Sequence, residues 1–318
     1  MSLLPVDVVV LCLDRMEDTH ECIDSVLGQD HPDVRLWLLD QGSERPMVES
    51  LRRRARDQGF VFVEGERTGV AAGRNQGYRM GSAPVIVALD NDAVLADPGV
   101  LTRVAQRFGA DRRLGALAFA VHDYARGGPD LGSWGYPWPP ASHFGREFLA
   151  ARFCGAGHAV VREAFAATDG YDERLFFFGE ELDLCWQLIA AGYEIRYVPD
   201  LAVRHKSSLE RRLDWAGGRF YYNVRNMIYL NRKYLPVRGL AAAYAAGYLL
   251  KGLRNGLAGE AVRGIRDGLR LGRQAGTRRL LPRPARDYIQ RHEFAPRGSA
   301  WRRLWREVLP HLVYTRAA

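Results

Sequence analysis

The sequence predicts an α/β fold: a mostly parallel sheet flanked by helices, followed by a helical C-terminal extension. Two observations carry this. Over the first hundred residues, short apolar and β-branched runs alternate with segments of helical periodicity across short connections. Such alternation marks a sheet built from strand–helix–strand units. After Pro236 the β-branched runs stop, and the chain becomes rich in Arg, Ala and Leu.

The elements follow in order. Residues 6–13, VDVVVLCL, form an apolar run that reads as a buried strand. In residues 18–29 the apolar positions Cys22, Val26 and Leu27 have helical spacing, and Asp18 or Thr19 can cap the helix. VRLWLLD (34–40) is a second strand, and RPMVESLRRRARDQG a second helix stopped by Gly59. FVFV (60–63), a helix from Val70 to Met80 and VIVAL (85–89) continue the pattern. Asp14, Asp40 and Asp90 fall at the carboxyl ends of strands, the edge where open α/β sheets bind ligands.

Regularity fades from Asp111 to Phe153. GGPDLGSWGYPWPPASHFG reads as a long loop with exposed aromatics, either structural or a platform for an acceptor. Order returns with a helix near 162–167, another from Glu181 to Ala191 ended by Gly192, and a short strand YEIRYV followed by a Pro-containing turn. Beyond Pro236, Leu249, Leu250, Leu253 and Leu257 share one helical face, with Lys251, Arg254, Arg263, Arg266 and Arg270 around it. The glycines there weaken a free-standing helix.

Composition bounds the chemistry. At 318 residues the chain can bury a large core, and 47% hydrophobic with 26% charged is ordinary for a globular protein. The net charge of +8 is uneven: 17 Lys+Arg stand against 5 Asp+Glu from Pro236 onward, and 28 against 32 before it. An anionic partner therefore meets the tail, and a basic amphipathic tail suits an anionic membrane surface. Cys12, Cys22, Cys154 and Cys185 form no CxxC or zinc spacing, which fits reduced thiols in a cytoplasmic protein. The N-terminus lacks a basic n-region, and no run of about 18 apolar residues is present, so neither a signal peptide nor a spanning helix is expected. The absence of any Gly-Lys dipeptide removes a Walker A loop. GxGxxG, GxSxG and nucleic-acid-binding modules are missing too.

Three constellations remain. The first is VIVALDNDAVL, where Asp90, Asn91 and Asp92 interrupt an apolar run. Two carboxylates this close resist burial unless a cation compensates. A Mg²⁺ or Mn²⁺ site, an acid/base pair and a polar turn are all consistent with it. The second is FFFGEELDLCWQ, with Glu180, Glu181 and Asp183 at a helix start. The helix dipole accounts for acids there, yet adjacent glutamates point apart, so one can cap while the other faces a cleft as a base. The third is His205 in VRHKSS, either structural or a neutral imidazole completing a metal site with the aspartates. The glycines of GVAAGRNQG (Gly69, Gly73, Gly77) share a helical face that permits close packing or close approach to a ligand.

In order and spacing, LLDQGS, TGVAAGRNQG, ALDNDAVL, GYDERLFFFGEELDL, VPDLAVRHKSS and YYNVRN resemble the family 2 glycosyltransferases. These are inverting enzymes of the GT-A fold that use nucleotide-diphosphate sugars. The resemblance runs from about Val6 to Leu235 and is greatest to bacterial rhamnosyltransferase-like members. It implies a catalytic domain over residues 1–235 and a basic helical region over 236–318. It further implies that Asp40 and Arg74 contact the nucleotide, and that Asp90, Asn91 and Asp92 form a DxD site for the donor. Asp92, Asp90 and His205 would hold Mn²⁺ or Mg²⁺, and Glu181, or Glu180 beside it, would be the catalytic base. The implied donors include dTDP-rhamnose and UDP-sugars. The implied acceptor is a hydroxyl of a glycan, a lipid-linked glycan or a small molecule in cell-envelope polysaccharide or glycoconjugate synthesis. The chain departs from the family pattern at Glu180-Glu181, usually Glu-Asp, at Gln187, usually Arg, and at Arg67, often Asn. A sugar nucleotidyltransferase and a non-catalytic sugar-nucleotide-binding module are the alternatives; release of pyrophosphate identifies the first, and absence of transfer or donor hydrolysis the second.

Overall fold

The computed structural model describes residues 3–207, 215–234, 238–274 and 280–309. The expected boundary at Leu235/Pro236 and the segment Ser208–Asp214 lie outside the described residues. The N-terminal part alternates as the sequence predicts: β1 (Val6–Cys12), α1 (Met16–Leu27), β2 (Val34–Asp40), α2 (Arg45–Gln58), β3 (Val61–Val63), α3 (Val70–Met80) and β4 (Val85–Asp90). Next come β5 (Ala93–Leu95), α4 (Val100–Ala110), β6 (Leu114–Asp123), a single turn α5 (Pro140–His143), β7 (Phe148–Ala150), β8 (Gly157–Val161) and α6 (Arg162–Ala166). Then follow α7 (Glu180–Ala190), β9 (Glu194–His205), α8 (Ala216–Tyr234), α9 (Arg238–Arg254), α10 (Ala258–Gln274), α11 (Arg283–Ile289) and α12 (Ala300–Val308).

Among the described residues nine strands form one sheet in the order β3-β2-β1-β4-β8-β6-β9-β5, with β7 also on β9. β3, β2, β1 and β4 are parallel, as expected; β8 then runs antiparallel to both β4 and β6, so the second half is mixed. β1 is buried along its whole length because both of its faces are covered. Val6, Val8 and Val10 pack with Cys22, Ile23 and Val26 of α1 and Leu51 of α2, whereas Val9 and Leu11 pack with Ala71 and Tyr78 of α3. The glycine face of α3 permits this: a Cβ on Gly77 would collide with Val9, so this part of the stripe serves packing.

Four expectations are corrected. Asp18 and Thr19 do not cap α1, which starts earlier behind Arg15. Part of the segment taken as irregular is β6, ten residues deep inside the sheet. The aromatics that follow are no exposed platform: Trp134, Tyr136, Phe148 and Tyr197 pack edge-to-face or stacked, with centroids 4.7–6.3 Å apart. The strand after α7 does not stop at Pro199. Consecutive β6 residues Phe119 and Ala120 pair with its Val198 and Ala202, so Pro199 sits in a bulge where no ladder donor is needed, and β9 continues to His205.

The C-terminal segment breaks at Gly256, whose φ of +67° ends α9, so Leu257 does not share the α9 face. Lys251 is buried. Gly264 and Gly268 do not loosen α10; they let it lie against Val224, Ile228 and the Arg225 carbonyl of α8. Leu281, Ala285 and Ile289 join the core that contains Trp186 and Tyr234. No helix among the described residues is long and apolar enough to cross a membrane.

The α3 packing is testable. Gly→Ala inside an exposed helix is stabilising by about 1 kcal/mol, so a purely local effect would raise the denaturation midpoint of Gly77→Ala. The contact with Val9 predicts a net loss of roughly 1–3 kcal/mol, read by urea unfolding.

Candidate active site

A cavity of about 530 Å³ opens at the carboxyl ends of β1 and β4 and is walled by Arg15, Asp90, Asn91, Asp92, Glu180, Glu181 and His205, among others. Its position follows from chain direction. Parallel strands deliver their last residues to one edge, where the β1 and β4 turns sit side by side.

Asp92 and His205 meet through backbone register. β5 pairs antiparallel with β9 so that Ala93 faces His205, and the Lys206 amide donates to the Asp92 carbonyl at 2.8 Å. His205 Nε2 then lies 3.4 Å from Asp92 Oδ1. On the other side of the ring, Nδ1 is 2.7 Å from Asp130 Oδ2. Burial alone disfavours the charged ring, but its bonds to Asp130 and Asp92 outweigh it and push the imidazole up to about 9. Against its own burial, the His205 bond, with the Ser133 hydroxyl and the Gly132 amide, holds Asp130 down at about 2.

Arg15 donates from Nη1 to Asp92 Oδ2 and from Nη2 to the Lys206 carbonyl at 2.8 Å, and its Nε lies 2.7 Å from Asp18. Asp14 and Arg15 both occupy the left-handed region, at φ of 52° and 60°. This is costly for side chains with a Cβ and is held here by the surrounding bonds.

Asp90 lines the same cavity and is held from behind. Its Oδ1 accepts from Arg74 Nη2 at 2.8 Å, and the same nitrogen donates to the Gly155 carbonyl at 2.8 Å. Arg74 is fully buried behind Asp90 and is not among the residues lining the cavity. Asp40 is also absent from the wall, because its carboxylate accepts the Gly42 and Ser43 amides and shapes the turn that presents Gln41. Asn91 reaches the wall but spends its amide on the Asp14 carbonyl and the Thr19 hydroxyl.

Glu180 and Glu181 open α7, where the helix dipole favours acids. Glu180 is buried, and its Oε2 has no partner among the described residues. Burial, then repulsion from Glu181, raises it well above the usual carboxylate range. Glu181 is raised by burial, with Arg74 opposing the rise. Gly155 leaves room for Glu181, since a Cβ there would collide with Glu181 Oε1. The preceding Phe run is wound tightly, with φ of 59° at Phe176 and 77° at Phe178. Asn226 of YYNVRN holds it by donating to the Leu175 and Phe177 carbonyls at 2.8 and 2.7 Å.

The structure therefore brings Asp92, His205, Glu180 and Glu181 to one cavity, places Asp90 on its floor, and sets Asp40 and Arg74 behind it. Sequence reasoning missed Asp130, Arg15 and Asn226. A cation directly after a strand-end Asp and the turn-forming Pro-Asp-x-Gly pattern were the available signals for the first two. Asp92 and His205 form a carboxylate–imidazole pair; among the described residues no group of three or more His, Cys, Asp or Glu converges as a metal cage. A hard divalent ion commonly takes one or two protein ligands and completes its shell with substrate phosphates. The pair fits that kind of site and does not fit an all-protein one.

Comparison with known proteins bears on the fold and the family. The chain is 26% identical over 247 residues to an N-acetylglucosaminyltransferase of Bradyrhizobium diazoefficiens, covering 68% of this chain and 49% of the relative. It is 28% identical over 201 residues to a pre-mycofactocin glycosyltransferase of Mycobacterium tuberculosis, covering 59% and 41%. The chain spans about half, or less, of the length of these curated relatives. Among solved structures, a mannosyltransferase of Pyrobaculum calidifontis in complex with GDP-Man and Mn²⁺ superposes with a TM-score of 0.60 over 91% of this chain and 84% of its own, at 18% identity. TarS of S. aureus, residues 1–349, gives 0.52 at 12% identity over 86% and 92%. Both show the fold. The family description "Glycosyl transferase family 2" matches residues 7–166, which carry Asp90 and Asp92 but stop short of Glu181 and His205. With half of its length under that match, and a GT-A fold around the cavity, the chain belongs to glycosyl transferase family 2.

Proposed function

We propose that the protein is an inverting glycosyltransferase that moves a sugar from a nucleotide-diphosphate donor to an acceptor hydroxyl in bacterial glycan or glycoconjugate synthesis. Residues 1–235 would be its catalytic part. The observation that carries the proposal is the shared cavity, with Glu181 on one wall and the Asp92–His205 pair on another. Glu181 takes the acceptor proton; its raised affinity for protons, due to burial, suits a general base. Glu180, deeper and without a partner for Oε2, is the less accessible candidate. Asp92 and His205 would hold a Mn²⁺ or Mg²⁺ ion; a mannosyltransferase of the same fold was solved in complex with GDP-Man and Mn²⁺. That ion would supply the positive charge a departing diphosphate needs. Asp90 shapes the floor for the donor, and Arg74 holds Asp90. A UDP-sugar or dTDP-rhamnose as donor, and a glycan, lipid-linked or small-molecule acceptor, are the substrate classes in view.

A second reading has its own observation. Arg15 is paired with Asp92 and faces the cavity, so its guanidinium could balance the diphosphate without a metal. EDTA separates the two: transfer stops under the first reading and persists under the second.

The described tail fits the anionic membrane surface expected from its charge, as a peripheral contact on the cytoplasmic side. Leu250 and Leu253 on α9 and Trp301 and Trp305 on α12 are exposed, beside exposed Arg254, Arg302 and Arg306. Exposed tryptophans amid arginines suit a headgroup layer.

Two measurements follow. Glu181→Gln lowers kcat about 10²–10⁴-fold while donor binding by calorimetry stays at the wild-type value; wild-type turnover rejects the base. The full chain co-sediments with phosphatidylglycerol vesicles more than with phosphatidylcholine vesicles, an excess that salt weakens. Replacing Trp301 and Trp305 by Ser reduces it; equal pelleting with both lipids rejects the surface.

A further inference from the structure

We infer that Asp130 is a positioning residue, whose carboxylate fixes the orientation of His205 so that Nε2, and not Nδ1, faces the cavity beside Asp92. This rests on the proposed cation reading of the Asp92–His205 pair.

A histidine ring has two nitrogens and two orientations about its last bond. Which nitrogen is offered to a ligand is decided by what the other one bonds. Here Nδ1 lies 2.7 Å from Asp130 Oδ2 and must carry a hydrogen, because an ionised carboxylate only accepts. Nε2 is thereby left on the side of Asp92 Oδ1 at 3.4 Å. A flipped ring would lose the Asp130 bond and point a carbon at a buried carboxylate.

The carboxylate that does this is itself immobilised. Asp130 is 5% exposed. Its Oδ1 accepts the Gly132 amide at 2.9 Å, and its Oδ2 accepts the Ser133 hydroxyl at 2.7 Å in addition to His205. Its own amide donates to the Val121 carbonyl at 2.9 Å, and its carbonyl accepts the Ser133 and Trp134 amides at 3.0 and 3.1 Å. His205 is fixed from the backbone as well, since its carbonyl accepts the Tyr124 amide at 3.1 Å and its position pairs with Asp123 of β6. Both partners are thus anchored to β6, so the contact is a built feature of the fold. The loop that reads as structureless in the sequence holds the imidazole from behind, and its aromatics anchor that loop by packing on Tyr197 of β9.

The test uses the full chain and two readouts. Mn²⁺ is titrated by electron paramagnetic resonance, alone and with UDP, GDP or dTDP present. Outer partners of a metal-bound histidine typically contribute about 10–100-fold in affinity, so Asp130→Asn is expected to weaken Mn²⁺ by that factor. Ser133→Ala, which removes one of the hydrogen bonds anchoring the carboxylate and a 3.4 Å contact to His205 Nδ1 but leaves Asp130 in place, weakens it less; it also stands in if Asp130→Asn does not fold. The second readout needs no metal: the hydrogen-bonded Nδ1–H proton resonance of His205, assigned by its loss in His205→Gln, shifts or vanishes in Asp130→Asn. Unchanged Mn²⁺ affinity in Asp130→Asn overturns the proposal, as does an unchanged resonance. A wild-type chain that binds no Mn²⁺ overturns the cation reading instead, and the resonance then decides the Asp130 contact by itself.

Discussion

The short antiparallel pairing of β5 with β9 is the constraint on which the candidate site depends. It sets Ala93 opposite His205, and so brings a residue from a strand-end turn beside one more than a hundred positions later. Side chains alternate with a period of two, so a slip of one residue would turn His205 to the other face of the sheet. Such a slip is opposed from several directions. The Lys206 amide is bonded to the Asp92 carbonyl, the His205 carbonyl to the Tyr124 amide, and the bulge at Pro199 absorbs the offset between the two halves of the β6–β9 ladder.

Around that register the protein arranges charge in two layers. The layer facing the cavity holds Asp92, His205 and Glu181. The layer behind it holds Arg74, Asp130 and Asp40, each of which bonds to a neighbour. Buried ion pairs such as Arg74–Asp90 add little net stability, because desolvation offsets their attraction. Their effect here is geometric: Arg74 ties the end of β4 to the Gly155 carbonyl, next to the space that Glu181 occupies. The strained turn at Phe176–Phe178 belongs to the same scheme. Its cost is met by Asn226, which gathers its carbonyls and sets the start of α7 where Glu181 enters the cavity.

Much of this was legible in the sequence, and the reason is locality. β1, β2, β4 and α3 are specified by apolar runs and helical spacing within a dozen residues, and the structure places them within a residue or two of expectation. The Asp90–Asp92 couple and Glu181 announced themselves as acids where the chain turns from apolar to polar. What escaped depends on contacts distant in sequence. Pro199 looks like a stop until a partner strand supplies a bulge. Trp134 and Tyr136 look exposed until Tyr197 arrives to pack on them. Arg74 and Asp40 carry the expected chemistry but face inward, a direction that residue type and spacing do not encode.

The central claim is that the Asp92–His205 pair and a donor diphosphate share one divalent cation. Anomalous diffraction at the manganese edge, from crystals grown with Mn²⁺ and a nucleoside diphosphate, tests it most directly. A shared cation gives a single peak within about 2.0–2.6 Å of an Asp92 carboxylate oxygen and of His205 Nε2, touching the diphosphate and with Arg15 withdrawn from Asp92. A diphosphate seated on Arg15, with Asp92 and His205 still bonded to each other and no anomalous peak between them, would contradict it.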